Sequence, residues 1–248
     1  DIPFLAFFTF SMYTLTLLEE QPSLGRIVLH AIFSAAAIGS RIPGVIIPVM
    51  TITILLLRQW AAPRATPAQR VRWQQWAAWV ALYLVITTLG TVLLYPVVWN
   101  DIVHQFGQAF QVFQSYDNWD SNMLFMGRVL TAENIPWYYL PVWLAISTPP
   151  VYLFFFLAGC ARAAWLLLQK PIFQLGQEKR AILLELVWLL GPLAAIIIGR
   201  SIVYDSWRHV FFVYPAFVLI AINGLLGLYH WLGQRWNKKG SLAVWAAV

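Results

Sequence analysis

The chain has 248 residues, 60% hydrophobic and only 10% charged, with sixteen Lys and Arg against ten Asp and Glu and a net charge of +6. A soluble domain carries about 25% charged residues, so this composition excludes a solvated globule, a disordered chain and a coiled coil. The positive balance does not mark a nucleic-acid binder either, because the basic residues fall between apolar stretches and form no aromatic-interleaved polar face.

A polytopic membrane protein remains. A span needs about 20 mostly apolar residues. Seven segments meet or approach that: 3–18, 24–40, 43–57, 76–96, 138–168, 182–199 and 210–232. The expected fold is an all-α transmembrane bundle of about seven spans. It forms one domain over 1–248, with a loop at 97–137 that carries an amphipathic helix on the outer face.

Asp1 precedes the first span and by itself reads as an ordinary chain end; the chain opens DIPFLAFF, without Met. The second and third spans are separated only by SRIPG, which reads as a tight turn at one face or as a re-entrant pair that does not cross fully. Arg41 in that turn is either an interfacial anchor or a binding group. His30 and His230 have no clustered ligands in the sequence and read as packing histidines. The linker 58–73 then brings Arg58, Arg64, Arg70 and Arg72.

The stretch 100–114 places Val103, Phe106, Phe110 and Phe113 at helical spacing, with Asp101, His104, Gln105, Gln108 and Gln111 largely elsewhere on the wheel. It predicts a helix lying flat in the interface or packed against other loops. In 115–128, Asp117 and Asp120 stand among Asn and Trp. These side chains suit sugar hydroxyls and faces, and the two carboxylates could hold a cation or act as a base. Solvated loop acids are the alternative. Trp137 and Tyr138 open an aromatic run where a span leaves the interface, as a belt residue or a sugar platform.

The span 138–168 should kink at Pro149–Pro150. Cys160 within it is expected to be a buried packing residue. The linker 169–181 adds Lys170, Lys179 and Arg180, and Glu185 is expected to snorkel or to pair with Arg180. The turn RSIVYDSWRHVFFVYP, 200–215, concentrates Arg200, Asp205, Arg208 and His209 between two apolar spans. Arg208 can hold a phosphate by a two-donor fork, with Asp205 orienting it and His209 donating beside it. Lipid-headgroup anchoring is the bland alternative.

Alternate crossing puts twelve of the sixteen basic residues on or toward one side, which the positive-inside rule makes cytoplasmic. Arg41, Arg128, Arg200 and Arg208 fall on the outer face with six of the acids. Polar groups from four separate segments thus meet one face. No phosphate loop, dinucleotide fingerprint, HExxH or GxSxG motif is present.

The succession of DIPFLAFF, IGSRIPG, YPVVW with its amphipathic outer loop, PWYYLPVWL followed by STP, and YDSWRHVFFVYP resembles the membrane glycosyltransferases of the GT-C superfamily. The protein O-mannosyltransferase-like members are the nearest in pattern. The resemblance runs through most of the chain; PWYYLPVWL and WRHVFF are its most specific pieces.

The resemblance implies sugar transfer from a polyprenyl-phosphate carrier to a lipid, glycan or protein acceptor at the outer face, in a bacterial inner membrane. It gives Asp1 the place of the acid that opens a span, and makes it catalytic. It makes Arg208 and His209 the contacts of the carrier phosphate, with Arg200 or Arg41 assisting. A divalent cation at Asp1 is a possibility it leaves open. The family's chief acid lies in a first outer loop with no counterpart here, so the resemblance implies a C-terminal portion that is inactive alone.

A lipid or sugar transporter and a non-enzymatic scaffold are the alternatives. A transporter calls for ionisable or small polar groups at mid-span, where the sequence reads as mostly apolar. If one site is served, Asp1, Arg41 and Arg208 converge on one outer-face cavity.

Overall fold

The structure is a computed structural model that describes residues 1–61, 73–114, 122–131, 134–169, 177–199, 201, 203 and 206–245. Among these, nine α-helices form in chain order: α1 (Ile2–Glu20), α2 (Leu24–Ser40), α3 (Ile46–Ala61), α4 (Trp73–Leu94), α5 (Ile102–Gln114), α6 (Tyr139–Ser147), α7 (Pro150–Gln169), α8 (Gln177–Ile198) and α9 (Tyr214–Trp245). Five stretches are long and apolar enough to cross a membrane: Ile2–Glu20, Trp73–Leu94, Pro150–Gln169, Lys179–Ile198 and Arg208–Gln234. The apolar helices α2 and α3 are shorter.

Contacts fix the direction of each helix. Ser11 and Thr14 of α1 meet Ser34 and His30 of α2, so the two run antiparallel. The Trp76 indole donates to the Leu55 carbonyl, which joins the start of α4 to the later part of α3. α4 then follows α2 in parallel, with Tyr83 at Ser34 and the face of Gly90 against Ala35. α7 and α9 also run parallel, with Phe156 stacked on Phe217 at 4.1 Å and Arg162 beside Gly227. α8 runs antiparallel to both, joined to α9 and the turn before it through Glu185–Asn223 and Trp188–Phe212. The bundle therefore has two ends. One holds Asp1, Arg41 and Arg208; the other holds Glu19, Arg26, Lys179 and Arg180.

The Arg180 end closes on its own carbonyls. Arg26 donates to Leu17 O at 2.6 Å and Gln21 O at 2.9 Å, covering the orphaned last turn of α1. Lys179 does the same for Leu166 at the end of α7. Arg180 pairs with Glu19 at 3.5 Å. Glu185, expected to snorkel or to pair with Arg180, accepts instead from the Asn223 amide at 2.7 Å, because α9 packs along that face of α8.

The expected kinked span at 138–168 is two helices. Thr148 is extended, with φ −95° and ψ 132°, and α7 starts afresh at Pro150. Two consecutive prolines remove two backbone donors and hold the preceding residue out of helical space, so the helix breaks instead of bending. The Ser147 and Thr148 hydroxyls donate to the Trp143 and Leu144 carbonyls left over at the end of α6. Cys160 lies in α7, half-buried against the core and not fully enclosed.

The loop 97–137 carries more than its amphipathic helix. α5 forms as expected; Asp101 caps it by accepting from the His104 amide at 3.0 Å. Beyond it lies a β-hairpin that the all-α expectation omits. Its strands are β1 (Met123–Phe125) and β2 (Arg128–Leu130), paired antiparallel with Leu124 opposite Val129.

Candidate functional site at the Asp1 end

Three elements bring charge to one point. Asp1 precedes α1, Arg41 follows α2, and Arg208 opens a 3-10 turn, Arg208–Val213, that leads into α9. The Asp1 carboxylate accepts from both arginines with different oxygens. Oδ1 pairs with the Arg41 guanidinium, and Oδ2 takes a bond from Arg208 Nε at 3.1 Å. The three groups together carry a single net positive charge.

Packing beneath them sets this geometry. Phe4 lies one turn inside Asp1, and Phe212 lies four residues beyond Arg208. Phe212 sits against Phe4 at 5.2 Å and Phe8 at 4.7 Å, with Phe8 stacked on Trp188. All four rings are buried. The Trp188 indole also donates to Phe212 O at 3.0 Å, which pins the turn to α8. Arg41 is aimed by the turn after α2. It is extended, with φ −157°, and its amide closes the helix on Ala37. The chain then folds straight back, so a Cβ on Gly44 would stand 2.7 Å from the Ile38 nitrogen. Only glycine permits that approach.

An apolar cavity of about 220 Å³ is lined in part by residues that follow Arg41 and Arg208 in the chain. Ile42, Pro43, Ile46, Pro192, Ile196 and Phe212 line most of it. Ile42 follows Arg41 directly, and Phe212 lies one turn from Arg208. A cationic cluster beside a greasy cleft suits an amphiphile with an anionic head.

The sequence candidates separate accordingly. Asp1, Arg41 and Arg208 come together, and His209 is the next residue in the same 3-10 turn. Trp137 and Tyr138 lie on the hairpin side, where Tyr138 meets Phe125 at 6.0 Å. Asp117, Asp120, Arg200 and Asp205 lie outside the described residues. Tyr139 is the residue that the sequence reading undervalued. It is buried, its hydroxyl accepts from the Ser206 amide at 3.2 Å and approaches Met123 Sδ at 3.7 Å, and Phe125 packs on its ring at 4.8 Å. It joins the hairpin, α6 and the turn before Arg208. Its place beside Tyr138 in an aromatic run concealed it.

A divalent cation at Asp1 does not fit this donor set. Its one carboxylate is flanked by two guanidinium groups, which repel a cation. Among the described residues no three His, Cys, Asp or Glu side chains group to hold a metal.

A second polar cluster lies inside the bundle, against the expectation of apolar mid-span positions. His30 is fully buried with Ser11, Thr14, Ser34 and Thr51. Its Nδ1 is 3.0 Å from Thr14 Oγ1, and its Nε2 is 2.8 Å from Thr51 Oγ1. Tyr83 stacks on the imidazole at 5.0 Å and donates to Ser34 Oγ at 3.1 Å.

With the Thr14 hydroxyl donating to Ser11 O, a proton on Nδ1 and a Thr51 donation to Nε2 would satisfy both ring nitrogens. His30 is a packing histidine, but one with each ring nitrogen engaged. The signal was present as Ser11, Thr14, Ser34 and Thr51 on three neighbouring apolar helices; it needed the helix pairing to be read.

No family model, curated protein or solved structure matches the chain.

Proposed function

We propose that this chain holds the donor phosphate in a membrane glycosyltransferase, one that moves a sugar from a polyprenyl-phosphate donor to a lipid, glycan or protein acceptor. The observation that carries the reading is the convergence of Asp1, Arg41 and Arg208 beside an apolar cleft. The sequence resemblance points the same way. The seven-span topology, the periplasmic site and the bacterial inner membrane belong to the same proposal.

The chemistry follows from charge. When the anomeric carbon of the sugar is attacked, its bond to the carrier phosphate breaks and the electron pair stays on phosphate oxygen. Guanidinium donors fixed beforehand stabilise that developing charge. Arg208 and Arg41 are fixed by one shared carboxylate, so Asp1 acts as a positioning residue. His209 adds a donor beside them. The sequence resemblance adds Arg200 and Asp205 to the phosphate side, and Asp117, Asp120, Trp137 and Tyr138 to the acceptor side. The proton of the acceptor hydroxyl goes to a general base, which the sequence resemblance makes a carboxylate.

The test is sugar transfer from a labelled polyprenyl-phosphate donor by membranes containing the protein. Arg208→Ala should abolish transfer while leaving membrane insertion intact. Normal transfer by that variant contradicts the proposal.

One observation favours a transporter as the second reading. Glu185, Asn223 and Arg162 meet between α7, α8 and α9 within the apolar helices, where polar groups mark transport paths. Transbilayer movement of the same donor without transfer, retained in Arg208→Ala, is the outcome that selects it.

A further inference from the structure

The hairpin at the Asp1 end has two apolar faces and only one of them is covered. Its register places Met123, Phe125, Arg128 and Leu130 on one side and Leu124 and Val129 on the other. Phe125 is buried against Tyr139. Leu124 and Val129 stand opposite one another and are 71% and 66% exposed. Cross-strand neighbours of this kind form one contiguous patch.

The turn adds a second anomaly. Met126 and Gly127 have φ of 49° and 76°, the left-handed pair that a two-residue hairpin turn requires. Asn or Asp is the usual partner of Gly there. A methionine in that region is strained, and here its side chain is 72% exposed at the tip. The turn therefore keeps an apolar side chain where local backbone preference calls for a polar one.

We propose that the hairpin is a membrane-dipping wedge, with Leu124, Met126 and Val129 seated in the leaflet at the Asp1 end of the bundle. Its anchorage favours lipid over a protein partner. Tyr139 holds the hairpin to the turn before Arg208, level with the entry to α9. α6 begins at Tyr139, and α7 follows within a dozen residues, with Val151 and Phe154 turned outward for lipid. The charge fits the headgroup layer. Arg128 sits at the turn, exposed, and residues 122–131 contain no acid, so the tip offers one cation to lipid phosphate. Exposed Trp137, the belt residue type, stands nearby in the chain. This inference goes beyond the transferase reading and does not depend on it.

Spin labels test it. Leu124, Met126 and Val129 are replaced one at a time by Cys in a Cys160→Ala background, labelled, and placed in nanodiscs of phosphatidylethanolamine and phosphatidylglycerol. Collision with oxygen is compared with collision with a water-soluble nickel chelate. A label at Leu89, exposed in the later part of α4, gives the lipid reference, and free label in buffer gives the aqueous one. The three hairpin sites should favour oxygen several-fold over free label, approaching Leu89. In a Leu124→Asp, Val129→Asp variant, the label at 126 should lose that preference. An aqueous ratio at all three sites overturns the wedge. So does shielding from both agents, which would mean that protein covers the patch, and so does a lipid-like ratio at 126 that survives both Asp substitutions.

Discussion

At the scale of single residues, the two polar clusters differ in what surrounds them. Asp1, Arg41 and Arg208 keep roughly a third or more of each side chain exposed, at 30%, 35% and 65%. Pairs of that kind contribute about 1 kcal/mol or less to stability, so their value is in placing charge. His30 is the opposite case. Its ring is enclosed, so His30→Ala leaves a cavity and strands the Thr14 and Thr51 hydroxyls. The expected loss is about 3 kcal/mol. Tyr83→Phe keeps the ring stacked on His30 and removes one hydroxyl; interhelical bonds in membranes average about 0.6 kcal/mol. Unfolding of both variants in mixed micelles should show that order. Equal losses would mean that the imidazole is not the hub of the network.

At the scale of elements, close helix approach is set by glycine. A Cβ on Gly224 would lie 2.1 Å from Phe155 O, and one on Gly159 would lie 2.0 Å from Ile220 O. Gly224→Ala must therefore push α7 and α9 apart, at a cost of about 2 kcal/mol or more. Gly233→Ala on the same helix meets nothing within 4 Å and should be neutral or stabilising by about 0.5–1 kcal/mol. Thermal unfolding of the pair checks this; similar behaviour would contradict the close packing.

The same scale shows what the sequence could reveal. Apolar length located the helices, and Val103–Phe106–Phe110 spacing located α5. Pro149–Pro150 announced a disturbance but not its size, because whether two prolines bend or break a helix depends on what satisfies the carbonyls before them. Here Ser147 and Thr148 do so and the helix ends. The hairpin was hidden because three-residue strands carry almost no periodic signal, and its turn has Met where Asn would have marked it. Arg41 and Arg208 were legible as costly charges near a membrane face. Their meeting at Asp1 was open to expectation from alternate crossing, whereas the Phe4–Phe212–Phe8 packing that enforces it was not.

For the whole molecule, the two ends carry different chemistry. Asp1, Arg41, Arg208 and the hairpin occupy one; Glu19, Arg26, Lys179 and Arg180 occupy the other. In a membrane these ends face opposite compartments. Cysteines at Glu20 and Asn122, both exposed, should label from opposite sides with an impermeant maleimide in a Cys160→Ala background. In the proposed orientation, Asn122→Cys should react in intact cells and Glu20→Cys only after permeabilisation. Labelling of both from one side would contradict the bundle direction.

If the Asp1 end holds a lipid phosphate, its preference for a charged head over a neutral one can be measured directly. Native mass spectrometry of the chain in nanodiscs, titrated with polyprenyl phosphate and with the matching neutral polyprenol, separates head from tail. Binding of the phosphate should exceed that of the alcohol by tenfold or more, corresponding to about 1.4 kcal/mol. Arg208→Ala and Arg41→Ala should each remove that preference while leaving the weak binding of the alcohol unchanged. Equal binding of alcohol and phosphate, or a preference that survives both substitutions, would contradict it.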